Sequence, residues 1–136
     1  MTHLRETNDF VVNLASADLL DSVFATAFEY PAEVDEFEVA NLTAVSSQTV
    51  NSPRVLEAPV SYECVVHTIL PVGSSRLVIG RVTYIHVRDG LIDNNFRTNL
   101  DALRPLGRMP GPSYTTKMNS VFPRGEIPLV ELGLFI

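Results

Sequence analysis

A single cysteine, Cys64, stands among 136 residues. It excludes an internal disulfide and a zinc cluster of thiolates, and it fits a reducing compartment. Basic residues are few, 10 against 16 acidic ones, and the formal net charge is -6. That balance disfavours nucleic acid or an anionic membrane as a partner, because phosphate binding is driven largely by Lys and Arg. No stretch approaches the roughly 20 apolar residues of a membrane span. The first residues carry no long apolar core of a secretory signal, so the expected location is the cytoplasm. Internal repeats and low-complexity tracts are missing. So are the G-x-S-x-G elbow, the G-x-G-x-x-G turn and the Walker loop, and no nucleophile or helix-cradled phosphate site can be named from a motif.

What is present suits a folded domain. The chain is 46% hydrophobic and 19% charged, enough for one domain with a core and contrary to disorder. Residues 2–7 read as the last turns of a helix and Asn8-Asp9 as a turn, as though the chain began part-way through a domain. Phe10 to Leu14 is an apolar, partly β-branched strand. Ser16 is the expected N-cap of a helix with Asp18 in its first turn. Leu19, Leu20, Val23, Phe24 and Ala27 recur at helical spacing, and Pro31 requires the helix to stop before it. Glu33 to Glu38 predicts a short helical turn with Val34 and Phe37 inward, followed by loops with short extended pieces.

Val60 to Val72 and Arg76 to Arg88 predict two long strands joined by a turn at Gly73-Ser74-Ser75, a β-hairpin. Strict alternation puts Val78, Gly80, Val82, Tyr84 and His86 on one face, and Leu77, Ile79, Arg81, Thr83, Ile85 and Val87 on the other. Neither face is cleanly polar, which suits a barrel or a sheet under packed elements. Gly80 in mid-strand suggests a bend or bulge. Asp89-Gly90 is a turn. Asn99 or Thr98 caps a short helix that Pro105 ends. The residues alone therefore reach an α+β domain built on an antiparallel sheet.

Few side chains point to chemistry. His67 and His86 would hold a metal only as cross-strand neighbours, and a third ligand is missing at any regular spacing, so no metal site is assigned. Cys64 lacks a base nearby in sequence and reads as a small buried apolar residue. Asp35, Glu36 and Glu38 read as a solvated turn rather than paired catalytic carboxylates.

Five stretches taken in order carry more. "RETNDFVVNLAS" resembles R-E-T-G-x-F-V-V-N-L. "ATAFEYPAEVDEFEVANLTAVSS" resembles A-T-S-x-x-F-P-x-G-V-D-E-F-x-x-A-G-L-T-x-x-x-S. "SPRVLEAPVSYECVVHTI", "RLVIGRVTYIHVRDGLID" and "LDALRPLGRMPGPSYTT" resemble P-P-R-V-x-E-S-P-V-x-x-E-C, H-L-V-I-G-E-V-V-x-x-H-V-x-D and L-x-P-V-G-R-L-G-G-x-x-Y. These are segments of the flavin reductase-like, FMN-binding split-barrel family of flavoredoxin type, and the resemblance covers residues 4–116 at family spacing.

The resemblance implies a mostly β fold with short helices, an antiparallel Greek-key split barrel. It is expected to be incomplete at its N-terminus, because the first barrel strands and a K-D-T-type phosphate loop normally precede Met1. Residues 1–119 would form the later two thirds of the domain, and residues 120–136 an atypical tail. It further implies a homodimer binding FMN, or FAD, between subunits, with NAD(P)H as the hydride donor. Thr26, Ala25 and Ala27 match the flavin loop, where the Thr26 hydroxyl could donate to a phosphate oxygen. The family's polar residues there are replaced by Phe24 and Ala27. Pro31 matches as a shaper of the backbone. His86, the candidate catalytic residue, matches a strand histidine near the reacting rings. Gly107, Arg108 and Tyr114 match a loop that reaches the flavin or the partner subunit. Glu63-Cys64 matches a pair expected to be structural. The competing expectation is a non-catalytic split-barrel remnant or partner subunit that has lost flavin binding.

Overall fold

The computed structural model describes residues 7–116. The helical turns expected at 2–7, apart from Thr7, and the tail expected at 120–136 lie outside the described residues.

Asn8, at φ 58, turns the chain into strand β1, Asp9–Leu14. A 3-10 turn over Ala17–Leu19 then leads to helix α1, Leu20–Ala25. The helix predicted after Ser16 is thus broken into two short pieces. Ser16 does not cap it by its side chain. It is buried instead, because its backbone bridges to Pro105. Helix α2, Glu36–Val39, begins at Asp35, whose carboxylate accepts from the Phe37 N–H at 2.9 Å. This is the solvated acidic turn expected there; Phe37 is half-buried, but Val34 is exposed. Strands β2, Ala44–Val45, and β3, Arg54–Val55, form a two-residue ladder.

The predicted strand over Val60–Val72 is β4 with those bounds, and Ser75–Val87 is β5. Only Gly73 and Ser74 lie between them, with Gly73 at φ +55, a conformation glycine adopts without a Cβ penalty. The sheet is antiparallel in the order β1-β4-β5. Helix α3, Leu100–Leu103, is capped by Asn99, which accepts from the Ala102 N–H. It ends at Arg104 in a left-handed conformation, one residue before Pro105. A final ladder joins β6, Gly107–Arg108, to β7, Tyr114–Thr115.

Val60, Leu91 and Leu103 form the buried cluster, with Leu14 and Tyr62 packed on it. Burying each such aliphatic side chain stabilises the fold by about 1.5–3 kcal/mol. The chain leaving β1 is then tied to the segment after α3: Ala17 N–H donates to Arg104 and Leu106 N–H to Ala15. That tie sets α1 beside the β6-β7 ladder.

Two register shifts correct the strict alternation. Glu63 faces Tyr84 while Cys64 faces Val82, so Thr83 is the extra residue on β5. Val66 faces Gly80 while Thr68 faces Ile79, so His67 is the extra residue on β4. An extra residue changes the phase of a strand. Thr83 is half-buried while Val82 and Tyr84 are exposed, so the single alternation predicted for β5 does not run through the bulge. Gly80 sits at the edge of one shift, yet the residue that requires glycine there is Phe10. A Cβ at Gly80 would lie 2.5 Å from Phe10 Cζ. The ring lies across the glycine and covers the bare backbone between β4 and β5. We expect Gly80→Ala to lower stability by about 1–3 kcal/mol through this overpacking. Chemical denaturation checks it, and an unchanged midpoint would show that the ring moves aside freely.

Candidate functional site

Three acceptors on the inner face of β1 and β4 hold the loop 46–55 against the sheet. Asp9, Asn13 and Glu63 share that face through the register Asp9↔Val65, Val11↔Glu63 and Asn13↔Ser61. The Asp9 carboxylate accepts from Asn51 N–H, Ser52 N–H and the Ser52 hydroxyl, the last at 2.6 Å. Asn13 Oδ1 accepts from Val55 N–H and the Ser61 hydroxyl. Burial raises the Asp9 pKa, but the Ser52 and Asn51 donors together leave it below the ordinary carboxylate value.

Glu63 is the most enclosed of the three, at 0% exposure. Gln48 N–H and Thr49 N–H donate to its two oxygens at 2.7 Å each. The Thr49 hydroxyl and His86 Nε2 donate at 2.6 Å each. Thr83 Oγ1 lies 2.6 Å from Thr49 Oγ1 and 3.2 Å from the Glu63 carbonyl, where its one proton can serve either. Burial pushes the Glu63 carboxyl up, but His86, Thr49 and the two backbone donors outweigh it and hold the pKa at about 2. The carboxylate is therefore ionised and can only accept, so His86 Nε2 carries the proton of that bond. The imidazole is fixed by this contact and by the Tyr84 ring, 4.7 Å away.

His86 and His67 are not cross-strand neighbours. His86 faces Ser61, whereas His67 sits at the shift between Val66 and Thr68. Among the described residues no group of three or more His, Cys, Asp or Glu could hold a metal ion. Cys64 is buried, and burial raises its thiol pKa, which leaves it protonated and packed.

The residues singled out by resemblance fall in three places. Ala27, Arg108 and Tyr114 come together in one cleft of about 450 Å³ with Phe24, Phe28, Gly111 and Pro112. Phe24 and Phe28 meet edge to face at 5.2 Å. The Arg108 guanidinium lies over the Tyr114 ring, 5.1 Å from its centroid. It donates to the Tyr114 hydroxyl at 3.0 Å and to the Gly111 carbonyl at 3.3 Å. Thr26 ends α1 and borders a small apolar pocket of about 190 Å³ with Val23, Leu42 and Val55. Its hydroxyl already donates to the Val23 carbonyl at 3.0 Å, and a hydroxyl has one proton to give. Ala25 contributes its carbonyl, which accepts from the Tyr30 hydroxyl at 2.9 Å. His86 borders a third space, of about 480 Å³. Within this chain the named residues do not converge on one point.

Sequence reasoning missed Asp9, Asn13 and Arg54. The signal for the first two was polar side chains at alternate positions of an otherwise apolar strand. It took Glu63 for structural, and Glu63 does hold the loop, but it also fixes the candidate catalytic histidine.

Comparisons agree with the architecture. The model of the flavin reductase like domain matches residues 1–104. An uncharacterized protein of Aquifex aeolicus is 38% identical over 109 residues, 80% of this chain and 56% of that protein. Component B of the nitrilotriacetate monooxygenase of Bacillus cereus superposes with a TM-score of 0.82 at 30% identity, over 90% of this chain and 62% of that one. A split-barrel protein of Shewanella frigidimarina superposes with a TM-score of 0.82 at 18% identity, over 91% and 64%. The fold is thus the split barrel: mostly β, antiparallel, with short helices. The chain spans little more than half of the curated relative and under two thirds of each solved chain. No helix among the described residues is long and apolar enough to cross a membrane.

Glu63→Gln should destabilise the fold by about 3 kcal/mol, because the amide leaves donors unpaired and removes a charge-assisted bond. Its pH signature is specific. A depressed carboxyl adds stability above its ordinary value of 4.5, and that stability is lost as pH falls toward about 2. Urea unfolding across that window should show the fall in the natural chain and a weaker fall in the variant. Equal slopes would remove Glu63 from the account.

Proposed function

Because this chain belongs to the flavin reductase-like domain family, we propose that it builds part of an FMN site in an oxidoreductase that moves hydride between a nicotinamide nucleotide and the flavin. The observation that carries the proposal is the cleft in which Arg108 and Tyr114 meet Phe24, Ala27 and Phe28. Its chemistry fits the group. A guanidinium has five N–H donors, and Arg108 uses two on Tyr114 and Gly111, so the rest remain for a phosphate or a ring carbonyl. Phe24, Phe28 and Tyr114 offer faces and edges to a planar ring system. Ala27, small and exposed, leaves that wall open. Bound flavin supplies the hydride chemistry, and the protein supplies position and charge.

Residue roles follow from what each side chain has free. Arg108 offsets flavin charge. Ala25 and Thr26 shape the helix end rather than donate, because the Thr26 proton is engaged by Val23. His86, oriented by Glu63, serves the nicotinamide side. The assembly we favour is a cytoplasmic homodimer, in which a second subunit brings further residues to FMN. Leu77, Ile79, Val82 and Ile85 on β5 are 50%, 41%, 48% and 52% exposed, apolar surface that such a partner could cover.

The test is an FMN and FAD titration of the purified chain by flavin fluorescence, with protein size measured alongside. Saturable quenching and a dimer are expected. Arg108→Ala should weaken binding about tenfold or more, the effect of a charge-assisted bond, and Thr26→Ala much less. Absence of quenching would favour the second reading, a split-barrel chain without catalysis, which the engaged Thr26 hydroxyl and the apolar Phe24 already support.

A further inference from the structure

The space beside His86 is a cleft of about 480 Å³ that also takes in Arg54, Tyr84, Arg88 and Asp89. We propose that it is a phosphate-binding site, separate from the Arg108 cleft. Two arginines and a histidine border one hollow on a chain whose net charge is -6. Two guanidiniums bordering one hollow repel each other unless something negative offsets them. Among the described residues the Arg54 and Arg88 side chains have no ion pair. Arg54 Nε is buried and has no hydrogen-bond partner there, an orphan donor of a kind folded proteins rarely leave.

The nearest buried carboxylate cannot quiet these groups. Glu63 lies behind His86 and its oxygens are filled by Gln48, Thr49 and His86 itself. His86 gives Nε2 to Glu63, so Nδ1 is the ring nitrogen left for the cleft, and it donates to a phosphate oxygen only when the ring is protonated. Asp89 is the one acidic residue lining it, and it opposes an anion. Arginine forks suit phosphate oxygens, and the tilted Tyr84 and His86 rings form a wall on which a base could lie. A phosphate group, free or on a nucleotide, meets all of these needs.

The test uses inorganic phosphate and adenosine monophosphate on the whole chain, followed by the imidazole signals of His86 in NMR and by calorimetry. Saturable binding that moves His86 is expected. Arg88→Ala, at an exposed position that should not disturb folding, should weaken it about tenfold. Arg54→Ala should do the same, and Asp89→Asn should tighten binding several-fold. Tighter binding of the nucleotide assigns a base to the Tyr84 wall; equal binding assigns the phosphate alone. Arg108→Ala should leave this binding unchanged, which separates it from the flavin reading. Binding that vanishes with Arg108→Ala, ignores Arg88→Ala, or is absent for both probes at millimolar concentration overturns the proposal.

Discussion

A carboxylate with no access to water organises this protein. Glu63 projects from β4 under the loop 46–55, and an ionised group there would be costly without partners. Four donors meet it, two from backbone, one from a hydroxyl and one from an imidazole. Each of them is thereby fixed in turn. The loop is pinned at Gln48 and Thr49, Thr83 is drawn inward at the bulge, and His86 is held in one orientation and one tautomer. Asp9 and Asn13 repeat the device on β1 at shorter reach. A loop with little apolar surface of its own is thus attached to the sheet by acceptors on side chains.

That attachment divides the chemistry of the chain. On one side the loop brings Arg54 to the cleft bordered by His86 and Arg88. On the other, the tie between residues 15–17 and 104–106 brings α1 against the β6-β7 ladder and creates the aromatic cleft of Arg108. The first holds two arginines that have no ion pair among the described residues. The second offers ring faces and an arginine already braced by Tyr114 and Gly111. An acidic chain therefore keeps local positive sites, and they lie where the fold is held by polar contacts rather than by its small apolar cluster.

Much of the fold was legible in the residues. The hairpin of β4 and β5, the Asn99 cap and the turns at Gly73 and Gly90 depend on local preferences that a short window contains. The helix after Ser16 was not, because the long-range bridge to Pro105 overrides its local capping signal. The faces of β5 were misread for a similar reason. A bulge at Thr83 is a property of the pairing, and the polar network that stabilises it is assembled from residues 49, 63 and 83.

By itself, then, the sequence determined the antiparallel hairpin, the family and the set of residues worth naming, since these rest on periodicity, turn chemistry and ordered motifs. Only the tertiary structure decided what those residues have free. It joined Arg108 and Tyr114 to the Phe24 wall, removed the Thr26 proton to Val23, and set Glu63 behind His86. The reason is physical: a donor's availability depends on which acceptor lies within about 3 Å of it, and that acceptor is local for Thr26, three residues back at Val23, but 23 residues away for His86, where strand pairing supplies Glu63.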